Sequence, residues 1–272
     1  MEDDEADLTR KQRREQARAE RKALEDAEAA SAKRKARLTQ LGIVAAIVVV
    51  VIVAIVIATS GGGAKKVASG SKAANETVSQ VNSLIGGIPQ KGNVLGNPNA
   101  PVTIQYFGDL ECPICREFTL GAFPSIIQQW VRSGKVKVEY RSMETATREP
   151  EVFKTQQVAA LAAGKQNKMW DFVELFYHEQ GEEDSGYVTE SYLQNLAQQV
   201  PGLDLTQWTT DRGDTALDNK VEEDAQAANA AGFTGTPSFL IGKTGGSTSK
   251  LEYSSLTDPT SFNEAIEKQL KG

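Results

Sequence analysis

Cysteine is almost missing from this chain: 272 residues contain two, Cys112 and Cys115. That scarcity excludes a framework of several disulfides and argues against cysteine as a casual core filler. Histidine is rarer still, with His178 alone. A structural zinc site takes four ligands, and two sulfurs with one imidazole do not supply them, so no metal site is expected. Basic charge is not in excess: 30 Lys/Arg stand against 36 Asp/Glu, for a net charge of −6 and a pI near 5.1. Nucleic-acid binding rests on a basic surface, so no nucleic-acid partner is expected. Internal repeats are missing too, which excludes a solenoid.

What is present falls into blocks. Residues 1–40 form a charged leader, with eleven Lys/Arg against ten Asp/Glu, so the acidity lies mainly in the rest. This leader reads as a solvated tail that sets topology. Leu41 to Ala58 carries no charged or hydrogen-bonding side chain. As a helix rising 1.5 Å per residue it spans about 27 Å, close to the roughly 30 Å of hydrocarbon in a bilayer. Only a helix lets a lone segment satisfy its backbone in lipid, so residues 41–59 are read as a transmembrane signal-anchor. A cleaved signal peptide has a shorter apolar core and leader, although Ala58-Thr59-Ser60 offers small residues for cutting. Lys33, Arg34, Lys35 and Arg37 crowd the N-terminal flank. The positive-inside rule then places the N-terminus in the cytoplasm and the C-terminal domain outside the cell membrane.

Residues 60–90 combine a Gly/Ser/Ala/Lys linker with a short amphipathic helix marked by Val78, Val81, Leu84, Ile85 and Ile88. Residues 91–272 make a folded unit with core enough of its own. Gly92 to Pro101 is turn-rich, and Val102 to Phe107 is a β-branched and aromatic strand. Gly108-Asp109-Leu110-Glu111 reads as a turn whose two acids are solvated, the alternative being that Asp109 or Glu111 relays protons from Cys115. A helical pattern begins at Pro113 and runs to Val131, with a kink expected at Pro124 and an end at Ser133-Gly134. Lys135 to Arg141 alternates as a second strand. Helical tracts follow at Glu151–His178, Thr189–Val200 and Asp214–Ala231. Pro237–Ile241 and Lys250–Tyr253 read as two strands about a Gly245-Gly246 turn. Asp258-Pro259 caps a last helix that shows Phe262, Ile266 and Leu270 on one face. His178 is read as a surface residue at a helix end.

The cysteine pair opens the helix of a strand–helix–strand unit. A thiolate carries out disulfide exchange, and a helix N-terminus lowers a thiol's pKa through its unpaired N–H groups and dipole. The first sulfur, of Cys112, is expected to face solvent, and the second, of Cys115, to lie sheltered within reach of a mixed disulfide. Pro113 suits the first turn, where its missing N–H is no loss. A purely structural disulfide over so short a loop would constrain the unfolded chain little. Redox chemistry is therefore the leading reading, and it requires no cofactor.

Two motifs carry a family resemblance. The run Leu95-Gly-Asn-Pro-Asn-Ala-Pro-Val-Thr-Ile-Gln-Tyr-Phe-Gly-Asp-Leu-Glu-Cys-Pro-Ile-Cys-Arg-Glu-Phe118 resembles the DsbA-like thiol-disulfide oxidoreductases, and so does Gly232-Phe-Thr-Gly-Thr-Pro-Ser-Phe-Leu-Ile-Gly242. The resemblance implies a thioredoxin fold with an inserted α-helical domain at about 148–231, here preceded by the single transmembrane helix. It implies Cys112 as the exchanging sulfur, Cys115 as the resolving one, Pro237 as the family's cis-proline, and Thr236 as a backbone partner for an extended substrate. The separation of Cys115 from Pro237 by over a hundred residues is independently too long for a bare thioredoxin. Relatives of this kind exchange disulfides with thiols of exported proteins and are reoxidised by a quinone-linked membrane partner of the DsbB or VKOR kind.

Pro113 and Ile114, between the cysteines, tune the pair. Strongly oxidising members often carry a histidine there; an aliphatic Ile114 cannot favour the thiolate, so a less depressed pKa and a less oxidising couple are expected than in those relatives. Oxidase is the first reading of direction. A reductase or isomerase fed by a membrane electron carrier, and a non-catalytic thioredoxin-like binding module, are the alternatives.

Overall fold

The computed structural model describes residues 70–271, which belong to a unit spanning Gly62–Gly272. The leader and the apolar run Leu41–Ala58 lie outside the described residues. Among the described residues no helix is long and apolar enough to cross a membrane.

One six-stranded sheet organises the fold: β1 Gln90–Lys91, β2 Val94–Leu95, β3 Val102–Gly108, β4 Val136–Ser142, β5 Ser238–Lys243 and β6 Thr248–Lys250, in the order β1-β2-β4-β3-β5-β6. β3 runs parallel to β4, with Tyr106 opposite Tyr140, and antiparallel to β5, with Tyr106 opposite Phe239. β4 alternates cleanly, burying Val136, Val138, Tyr140 and Ser142. Such alternation pins the register, because a one-residue slip would turn every apolar side chain to the wrong face.

The parallel β3–β4 pair needs a crossover, supplied by α2 Pro113–Leu120, α3 Phe123–Ile126 and a π-helical turn Ile127–Val131. The amphipathic helix expected upstream is α1, Lys72–Ile85, N-capped by Ser71. Between β4 and β5 the chain leaves the sheet for five helices: α4 Pro150–Lys165, α5 Met169–His178, α6 Glu190–Gln199, α7 Leu205–Asp211 and α8 Thr215–Ala230. α9, Thr260–Lys271, closes the chain.

An aromatic layer joins these pieces beneath the cysteine helix. Phe118 sits 5.2 Å from Tyr106, 4.7 Å from Phe239 and 5.1 Å from Phe262, and all four rings are buried. Burying each large apolar side chain contributes about 1.5–3 kcal/mol, so this layer ties α2 firmly to β3, β5 and α9. The opposite face of the sheet is closed by a smaller cluster of Phe107, Met143 and Ala228, with Phe233 packed against it. α5 is buried from Met169 to Tyr177, as a helix must be when it is apolar nearly all round. It packs on α1, α2, α4 and α6, and so brings its C-terminal end to the cysteine helix.

Several sequence expectations are corrected. The break in the helix after the cysteines falls at Gly121-Ala122, not at Pro124, which instead sits in the first turn of α3. Local and tertiary contacts meet there: Ala122 N–H donates to Leu256 O at 2.9 Å, and a Cβ on Gly121 would meet Glu117 O at 2.6 Å and Leu256 O at 2.8 Å. The tract expected as one helix from Glu151 to His178 is two, parted at Asn167, whose φ of 58° is left-handed. The last strand ends at Lys250 rather than running from there to Tyr253, because β6 pairs back only on Leu240–Gly242 across the Gly245 turn. The turn-rich stretch before β3 contains a small hairpin, β1–β2, and α7 lies where no helix was expected.

Candidate active site

Cys112 closes a turn and opens a helix. Its N–H donates to Asp109 O at 3.1 Å, and with φ −69° and ψ 118° it takes an extended conformation as the N-cap of α2. Pro113 follows in the first turn. In this position the Cys112 Sγ accepts the Cys115 N–H at 3.4 Å, the place a Ser or Asp oxygen takes in an ordinary cap. Hydrogen bonding from Cys115 is the main cause that holds the Cys112 thiol down at about 6, helped by Thr236 and by the Ile114 and Cys115 backbone against the opposing effect of burial. Cys115, one turn along, is fully buried; desolvation first, then the charge and hydrogen bonding of Cys112, drives its thiol well up. Both cysteines are free thiols. The two sulfurs thus differ as an exchanging and a resolving thiol must. Cys112 is nonetheless only 5 % exposed, so the expectation of a solvent-facing first sulfur is corrected: neighbouring loops cover it almost to the rim.

One of those loops carries Thr236 and Pro237. Their peptide bond is cis, a proline phenomenon, and the Cys112 thiol donates to Thr236 O at 3.6 Å. The structure therefore brings together Cys112, Cys115, Thr236 and Pro237 from segments more than a hundred residues apart. Beside them a groove of about 500 Å³ is lined by Gly232–Phe239 and Lys250–Tyr253. Tyr253, in its wall, donates to Pro237 O at 3.0 Å. Pro113 is exposed and Ile114 is 45 % exposed, so both face solvent next to Cys112.

The acids just before the pair are not solvated. Asp109 is fully buried: its Oδ2 accepts the N–H groups of Thr145, Ala146 and Thr147 at 3.1, 2.9 and 2.9 Å, and its Oδ1 accepts Glu111 N–H at 3.1 Å and the Thr147 hydroxyl at 2.7 Å. It ties the turn before Cys112 to the loop after β4, a role its local sequence does not reveal. Glu111 is 2 % exposed, and burial pushes its carboxyl up to about 7. His178, expected at the surface, ends α5 half-buried, and burial with the nearby Arg116 lowers its pKa. Tyr106, Tyr140 and Tyr177 lie fully buried beneath Cys115; Tyr106 OH meets Thr119 Oγ1 at 3.2 Å and donates to Tyr177 OH at 3.3 Å. Among the described residues no group of His, Cys, Asp and Glu is arranged to hold a metal ion.

Known proteins share this fold. Residues 89–259 match a family described as thioredoxin. Disulfide bond formation protein D of Bacillus subtilis is 27 % identical over 205 residues, spanning 73 % of this chain and 86 % of that one. The probable disulfide bond formation protein D of Bacillus anthracis is 27 % identical over 184 residues, spanning 65 % and 77 %. Among solved structures, oxidised BdbD from Bacillus subtilis superposes with a TM-score of 0.56 at 24 % identity, covering 68 % of this chain and 98 % of that one. Wolbachia pipientis alpha-DsbA1 superposes with a TM-score of 0.54 at 20 % identity, covering 66 % and 90 %. At these identities the two structures speak for the fold alone.

Proposed function

The chain belongs to the thioredoxin family, within its DsbA-like thiol-disulfide oxidoreductases, and from that premise we propose that it is a membrane-tethered oxidase of exported proteins. The observation that carries the direction is the N-cap position of Cys112, whose thiol is held at about 6. Whatever stabilises the Cys112 thiolate stabilises the reduced pair, and so makes the disulfide a stronger oxidant. A substrate thiolate attacks Cys112 Sγ of the Cys112–Cys115 disulfide. The Cys112–Cys115 bond breaks, a mixed disulfide forms, and Cys115 takes a proton. A second substrate thiolate then attacks the substrate sulfur and releases Cys112 as a thiolate. Two substrate thiols become one disulfide, and the enzyme disulfide becomes a dithiol.

In this reading Thr236 and Pro237 hold the extended substrate along the groove, while Pro113 and Ile114 face solvent next to Cys112. The apolar run Leu41–Ala58 anchors the chain, and the basic flank from Lys33 to Arg37 keeps the N-terminus in the cytoplasm, so that the redox domain works outside. Cysteine-containing exported proteins are the substrates. A quinone-linked membrane enzyme of the DsbB or VKOR kind takes the electrons. The name borne by the Bacillus relatives, disulfide bond formation protein D, supports the same direction. Trapping tests the roles: in membranes, Cys115→Ser should accumulate mixed disulfides through Cys112, and Cys112→Ser should accumulate none. Adducts through Cys115 alone would reverse the assignment.

A further inference from the structure

The turn that presents Cys112 has a bonding problem. Asp109, Leu110 and Cys112 are all at most 5 % exposed, so their carbonyl groups must find donors within the protein. Asp109 O accepts Cys112 N–H and Cys112 O accepts Arg116 N–H, each at 3.1 Å; the other donors come from one place, the C-terminal end of α5 and the residues just after it in the helical insert. Gln180 Nε2 donates to Leu110 O at 2.7 Å and to Cys112 O at 3.1 Å. Tyr177 OH donates to Asp109 O at 3.1 Å, and Tyr177 O accepts Arg116 Nε at 2.9 Å. The insert therefore grips both the turn before the first cysteine and the first turn of α2 behind it.

We propose that Gln180 is a positioning residue of the redox site, through which the helical insert sets the thiolate stability of Cys112. Its amide acts in two ways. It fixes the Leu110–Glu111 and Cys112–Pro113 peptide units, which flank the Glu111-Cys112 pair, and thereby the N-cap geometry in which Cys112 Sγ meets the Cys115 N–H at 3.4 Å. Its N–H dipoles also offset two carbonyl oxygens whose partial negative charge would otherwise oppose the thiolate, an effect that is strong where water is excluded. Gln180 touches neither sulfur and acts only through the main chain. Its position explains why a thioredoxin half interrupted by five helices is still one redox unit.

The proposal rests on the reading of Cys112 as the exchanging thiol, and one set of measurements separates the two. In the full-length protein, thiolate absorbance at 240 nm is followed against pH, and the glutathione equilibrium is measured for the parent, Gln180→Met and Gln180→Glu. Gln180→Met keeps the shape without the donors; Gln180→Glu places a carboxylate against the same two carbonyls. Both should raise the Cys112 pKa by at least half a unit, larger for Gln180→Glu. The glutathione equilibrium should move at least threefold toward the protein disulfide, since one pKa unit is tenfold. Thermal unfolding of Gln180→Met should shift far less than the redox equilibrium does. A parent pair that fails to exchange with glutathione would sink the oxidase reading itself. An exchanging parent with an unchanged pKa in Gln180→Met would overturn this inference alone, as would variants that cannot fold, because Gln180 would then be merely structural.

Discussion

At the scale of single residues, two side chains, Asp109 and Gln180, decide how the site is held, and neither does what its neighbours in sequence suggest. Asp109 lies between a strand and a helix, where acids are ordinarily solvated, yet it is buried under five hydrogen bonds from Glu111 and the 145–147 loop. Removing it leaves four main-chain N–H groups without that partner, each costing about 1–3 kcal/mol if left unpaired. Asp109→Ala should therefore lower the unfolding free energy by about 3 kcal/mol or more, measured by urea denaturation; a loss under about 1 kcal/mol would contradict the bonding described. The cysteine pair, Pro113 at the first helical turn and the Thr236-Pro237 segment were legible because their chemistry is local: a motif, a cap and a proline. Asp109 and Gln180 were not, because their partners lie about 36 and 70 residues away.

At the scale of elements, periodicity identified the central strands, the crossover helix and the last helix, since β3, β4 and α9 each bury one regular set of apolar residues. Boundaries set by tertiary contact were hidden. The helix after the cysteines breaks where the 254–257 loop presses on Gly121, whose absent Cβ leaves room for Leu256 O. Pro124, three residues later, starts the next helix instead of breaking this one. Gly121→Ala should cost about 1–3 kcal/mol by overpacking, read as a lowered denaturation midpoint, while Pro124→Ala should change it less. The small hairpin β1–β2 escaped notice because two-residue strands have no measurable period, and α7 because Leu205–Asp211 offers few apolar positions.

At the scale of the whole molecule, burying carboxyl groups links stability to pH. Glu174 is fully buried with neither oxygen hydrogen-bonded, and desolvation, reinforced by Asp171, pushes it from 4.5 up to about 8. Glu111 and Glu179 are pushed by burial to about 7. An acid whose folded pKa is raised gives its full contribution below about 4.5, and that contribution is lost as pH rises through 7 to 8. The oxidised protein should therefore melt at lower temperature at pH 8 than at pH 5. Glu174→Leu should recover roughly 1–3 kcal/mol at pH 8 and progressively less toward pH 5. The reduced protein adds an opposite trend: Cys112, lowered from 9 to about 6, stabilises the folded dithiol increasingly from pH 6 to 9. The gap in stability between the reduced and oxidised forms should widen over that range, and a constant gap would contradict a folded thiolate.

That widening gap is the thermodynamic face of an oxidant, and the reduction potential of the Cys112–Cys115 couple measures it most directly. Equilibrated with glutathione in the full-length protein, the pair should show a value well above thioredoxin's, on the side of roughly −120 mV that marks a strong disulfide donor. A value near roughly −270 mV, as in thioredoxin itself, would contradict the account and make the same site a reductase.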